Sequence, residues 1–180
     1  FVTIDGARID RYATGLNFSK LISKSVFFSK VIAYAPFTIA AMHAIFSGNY
    51  GTKNGVNSYW SSPKFKKNEF KTLTKYLQDE NFVTHADTIN TLVLPKTGFG
   101  KFIVHDELND DLTQRHIELL DEAQKHKNAG KKFFLYLHYS NIHTGIMEKV
   151  LKKYNNFSTE YLANREKNIK FYDELFFNSD

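Results

Sequence analysis

The chain has 180 residues, enough for one domain with a real core. Its 42% hydrophobic content, with 17 Phe and 10 Tyr, excludes a disordered chain, and the lack of cysteine excludes disulfides and thiolate metal sites. The 24 Lys and Arg against 19 Asp and Glu leave a net charge of +5, scattered enough to read as a solvated surface rather than a nucleic-acid footprint; no apolar run reaches the roughly 18 residues that span a membrane.

Phe1-Val2-Thr3-Ile4 reads as a short buried strand running into the polar Asp5-Gly6-Ala7-Arg8. In residues 17–25, Phe18, Leu21 and Ile22 share a helical face, and Asn17 stands where an N-cap would. Val26 to Ala35 is β-branched and aromatic, which suits a strand or extended segment. Thr38 to Phe46 follows Pro36 as a helix closed by Gly48, and Gly51 to Pro63 reads as loop. Glu69 to Asp79 is an amphipathic helix with Phe70, Leu73, Tyr76 and Leu77 on its apolar side.

Phe82 to Ala86 fits a strand, and Pro95 and Gly98 mark Thr88 to Phe102 as loop. Leu112 to Lys127 is a helix with Asp111 as its cap. Lys132 to His138 is the clearest strand, because Phe133-Phe134-Leu135-Tyr136-Leu137 is a continuous apolar run. Glu148 to Tyr154 reads as a short helix or turn. A last helix, Tyr161 to Phe177, carries Leu162, Ile169, Tyr172 and Phe176 on one side. Strands alternating with helices predict a single α/β domain, with a mostly parallel sheet flanked by helices. Both ends of the sequence read as cut from a longer chain.

Sites in such sheets gather outside the carboxyl ends of the strands. Asp5 stands there after the first strand, as a hard-metal ligand or a turn cap. Arg8 and Asp10 read as a local ion pair. His138 and His143, expected in the loop after the clearest strand, can contact an anion, bind metal or move protons, or be merely solvated. Thr38 opens a helix, where backbone N–H groups and the dipole attract anions; it reads as an N-cap or as a nucleophile facing a phosphate or sulfate ester.

These three blocks arrive in a familiar order. Phe1 to Asp10, with its Asp, Arg and Asp, resembles the opening strand of the sulfatase and alkaline-phosphatase-like superfamily. Ala35-Pro36-Phe37-Thr38 through Ser47-Gly48-Asn49-Tyr50-Gly51 is similar to that family's nucleophile block, in which a Cys, Ser or Thr opens a helix ending in a Thr/Ser-Gly-x-Tyr turn. Phe133 to His138, with His143, is similar to the later strand that delivers substrate-site histidines, and Phe70 to Thr84 matches the intervening helix and strand.

The resemblance implies an αβα sandwich, present as the N-terminal part of the family's domain. It implies a metal-dependent hydrolase or transferase of phosphate or sulfate esters. Thr38 would be the nucleophile and a metal ligand, Asp5 a metal ligand, and His138 and His143 substrate-binding groups. The cofactor would be a divalent ion (Zn, Mn, Ca or Mg) and the partner an anionic ester, with no nucleic acid.

The departures also carry information. Thr38-Ile39-Ala40-Ala41-Met42 lacks the Pro and Arg of the sulfatase motif, and threonine cannot yield the formylglycine aldehyde, so phosphoester chemistry is favoured. Gly6 stands where many sulfatases have a second Asp, and Gly100-Lys101 lacks the family's following His. Ser179-Asp180 is read as unrelated to the family's later Asp-His metal pair. The alternative expectation is a non-catalytic domain of the same fold that binds anionic ligands or a partner.

Overall fold

The computed structural model describes residues 1–12, 14–148, 159 and 163–180. The chain divides into two compact units, residues 1–3 with 32–138 and residues 4–31 with 139–180. A four-stranded sheet is built from β1 (Val2–Ile4), β2 (Val83–Thr88), β3 (Lys101–Val104) and β4 (Phe133–Tyr139), in the order β1-β4-β2-β3. β2 pairs parallel with both neighbours, Thr84 lying opposite Phe134 and His85 opposite Lys101. The expected α/β architecture with a parallel sheet is present.

In the first unit, β4 is apolar along its length because helices cover both faces of the sheet. Side chains alternate across the strand, so Phe134, Tyr136 and His138 share one face. On that face lies α3 (Thr38–Ser47), whose Met42 and Phe46 pack into a cluster with Ala86, Val93, Leu94 and Tyr136. The Phe46 ring lies 6.0 Å from that of Tyr136 and 5.9 Å from that of Phe1. Burying a side chain of this size contributes about 1.5–3 kcal/mol. α3 ends as expected at Gly48, whose φ of 64° suits glycine. The turn that follows is held by Asn54, whose amide donates to Ser47 Oγ at 3.0 Å and to the Asn49 carbonyl at 2.8 Å.

The expected loop from Gly51 to Pro63 contains structure. α4 (Gly51–Asn54) opens it, and a turn of 3₁₀ helix, Ser62–Lys64, closes it. α5 (Leu73–Asp79) begins later than the Glu69 expected, because Thr72 caps it by accepting from the Lys75 N–H at 3.2 Å. Its inner side is not the apolar stripe. Thr72 and Thr74 are buried and both donate to the Thr97 carbonyl, whereas Leu73 and Tyr76 lie exposed.

β3 falls where a loop was expected. It joins the sheet beside β2, just after the Gly100 N–H donates to the Thr84 carbonyl at 2.9 Å. α6 (Leu112–Asn128) matches its expected span, capped by Asp111 accepting from the Gln114 N–H at 3.0 Å. It buries Leu112, His116, Leu119 and Ala123.

The second unit contains α1 (Ile9–Tyr12), α2 (Leu16–Ser23), α7 (Asn141–Ile146) and α8 (Arg165–Ser179). Phe18, Ile142 and Phe176 form its core, with Ile4, Ala7, Tyr12 and Tyr172 packed around them. α2 begins at Leu16, so Asn17 is inside the helix rather than its cap. The capping role passes to Asp180, whose carboxylate accepts the N–H groups of Asn17 and Phe18 at 2.9 and 2.8 Å.

Two further expectations of a strand change, and part of the C-terminal reading is outside the described residues. Ile4 is only half-buried and Val2 is exposed, so β1 is not a buried strand. Residues 26–35 form no strand; Val26, Phe28, Val31 and Ile32 are exposed and find no sheet partner among the described residues. The final helix starts at Arg165. Its expected beginning at Tyr161 and Leu162, and the short helix or turn expected from Glu148 to Tyr154, fall outside the described residues after Glu148. No described helix is long and apolar enough to cross a membrane.

Candidate functional site

Thr38 is the first residue of α3 and is half-buried; the N-cap position belongs to Phe37, which offers no side-chain cap. Three neighbours show how α3 meets the sheet. Phe1 donates its N–H to the Leu135 carbonyl at 2.7 Å and accepts from the Leu137 N–H at 2.9 Å, which sets Thr3 beside His138 along the parallel pair. Phe46 packs on Phe1, and one turn earlier Met42 meets the Thr3 hydroxyl at 3.9 Å. α3 therefore runs against the strand direction. Thr38, a further turn earlier on the same stripe, lies at the carboxyl-end side of the sheet.

His138 is inside β4, as the expected span from Lys132 to His138 has it and not in the loop after it, and is fully buried. Its Nδ1 lies 3.4 Å from both the Thr88 hydroxyl and the Tyr136 hydroxyl. Thr88 is the last residue of β2 and faces the same side as Ala86, which α3 covers. Thr38, Thr88 and His138 thus belong to the α3 side of one unit.

Asp5 and His143 belong to the other unit. Asp5 is half-buried just past β1, and its N–H donates to the Tyr139 carbonyl at 2.7 Å. His143 is exposed within α7 rather than in a loop. Gly6 connects the two places. Its φ is 80°, and a Cβ there would come 3.1 Å from the His143 backbone nitrogen. This is a physical reason for glycine where the family pattern has a second Asp. Tyr172 fastens the same turn, accepting from the Arg8 N–H and donating to the Gly6 carbonyl, both at 2.8 Å. Arg8 pairs with Asp10 at 2.8 Å, as expected.

The opposite face of the sheet carries a cluster that the sequence reading missed. Asp87 on β2, His105 just past β3 and His116 on α6 are all buried together. His105 Nδ1 lies 3.2 Å from Asp87 Oδ1, while Arg115 Nε and His116 Nε2 lie 2.6 and 3.4 Å from Oδ2. Burial alone would raise the Asp87 carboxyl. Hydrogen bonds from His105, His116 and Arg115, with the Arg115 charge, outweigh it and hold the group far below the usual carboxylate range. One signal for this cluster was present: His105 directly follows Phe102-Ile103-Val104, as Asp5 follows the first strand.

Three-donor groups of histidine and carboxylate that can hold a metal ion occur twice among the described residues. They are Asp87–His105–His116 and His85–Glu122–His126. Neither includes Asp5. Asp5 and Thr38, a carboxylate and a hydroxyl, are hard oxygen donors of the kind that magnesium and calcium ions take, and they belong to different units.

A model of the sulfatase family matches residues 6–178. No curated protein and no solved structure matches the chain.

Proposed function

The chain belongs to the sulfatase family, a family of hydrolases of sulfate and related esters, and from that premise we propose that Thr38 is the attacking group of a phosphate or sulfate ester hydrolase or transferase. The observation that carries this reading is the placement of Thr38. It opens α3 at the carboxyl-end side of the sheet, where Phe37 supplies no capping side chain. Helix N-terminal amides at that point favour an anionic group.

In the proposed step the Thr38 oxygen attacks phosphorus, or sulfur, and the bond to the ester oxygen breaks. The alcohol leaves with a proton, and the group passes to Thr38 and then to water or a second acceptor. His138 is the proposed contact for the ester's anion or leaving group, held by Thr88 and Tyr136. A divalent ion, where one binds, would stabilise the threonine alkoxide.

Hydrolysis of p-nitrophenyl phosphate, bis-p-nitrophenyl phosphate and p-nitrophenyl sulfate by the protein and its Thr38→Ala variant tests the assignment. Turnover that disappears in the variant supports it, and unchanged turnover removes Thr38 from the chemistry. A second reading is a non-catalytic domain that binds anionic ligands. Gly6 favours it, because the turn after β1 disfavours the second carboxylate. Anion binding by both proteins with no turnover by either supports that reading.

A further inference from the structure

Of the two three-donor groups, the buried one already holds a cation. Asp87 Oδ1 is engaged by His105 and Oδ2 by Arg115, with His116 Nε2 3.4 Å away, and the guanidinium occupies the place of a metal ion. The other group keeps one carboxylate oxygen clear of its cation. His85 projects from β2, while Glu122 and His126 stand one turn apart on the same stripe of α6. Among the described residues no arginine pairs with them. Glu122 Oε2 is engaged by Lys101 at 2.7 Å, which leaves Oε1 turned toward His85 Nδ1 at 3.8 Å.

We infer that His85, Glu122 and His126 form a binding site for a zinc-like divalent transition ion, clipping α6 to the sheet. Two imidazoles and one carboxylate are the donor set that such borderline ions take. The distances suit it. Two rings sharing one ion at about 2 Å lie within roughly 6.5 Å of each other, and the His85 and His126 rings are 5.9 Å apart. Donors around a tetrahedral ion sit about 3.3 Å apart, so the His85–Glu122 gap closes with a small side-chain rotation. Glu122 and His126 are only part-buried, which leaves the remaining coordination positions to water.

The site lies away from the carboxyl ends of the strands, so its role is structural and does not depend on the Thr38 assignment. The test is calorimetric titration of tag-free protein with zinc chloride, together with melting curves. One saturable site is expected, with a raised melting temperature. His126→Ala and Glu122→Gln should each weaken binding at least tenfold. Both positions are part-buried, so these variants keep the fold, which circular dichroism checks. Lys101→Gln should tighten binding several-fold by removing the competing ammonium. No saturable site, or equal affinity in wild type, His126→Ala and Glu122→Gln, overturns the assignment.

Discussion

Thr88 and His138 are neighbours across the β2–β4 ladder, with the Thr88 hydroxyl 3.4 Å from His138 Nδ1. Each ends its strand's run on the α3 face, and both are fully buried. A buried imidazole with two hydroxyls at one nitrogen has its ring plane fixed, which a group that meets substrate needs.

Thr88→Val keeps the shape and removes the hydroxyl. On the proposed function, kcat should fall several-fold with KM little changed, and stability should drop by about 1 kcal/mol. Steady-state kinetics and urea unfolding separate the two effects. A stability loss with unchanged kcat would make the pair purely structural.

Asp87→Asn should destabilise the fold by about 3–5 kcal/mol, because it leaves Arg115 and two buried histidines facing a neutral amide. Urea midpoints at neutral pH measure it. A loss below about 1 kcal/mol would show that the network is dispensable.

The same carboxylate sets an acid limit. Its folded-state pKa lies below its unfolded value, so the unfolded chain takes up the proton first. The stability Asp87 contributes is therefore full above about pH 4 and is lost as the pH falls through the acid range. Urea midpoints followed from pH 7 to pH 2 should fall more steeply for wild type than for Asp87→Asn. Parallel curves would contradict this.

Gly6→Asp would restore the carboxylate that the family pattern has at this position. Its φ of 80° and the His143 backbone nitrogen 3.1 Å from an added Cβ both oppose it. The expected cost is about 1–3 kcal/mol, read as a lower melting temperature. A variant as stable as wild type would mean that the turn adjusts freely.

Much of this fold was legible because its elements rest on local signals. The apolar run from Phe133 to Leu137 is a strand buried on both faces, and Asp111 with the stripe of Leu112, Leu119 and Ala123 announces α6. The misses have physical causes. β3 is short, and only its pairing with His85 to Thr88 makes it a strand. α5 buries threonines that bond the Thr97 carbonyl, so hydropathy pointed to the wrong face. Asp87, His105 and His116 come from three separate elements, so no spacing along the chain brings them together.

Thr38 as the attacking group is open to direct capture: rapid acid quench of the protein turning over an aryl phosphate or sulfate, followed by peptide mass mapping. A phosphoryl or sulfuryl group is expected on the Thr38 peptide, with turnover at least about a hundredfold lower in Thr38→Ala. Undiminished turnover by Thr38→Ala, with no adduct on the wild-type peptide, would contradict it.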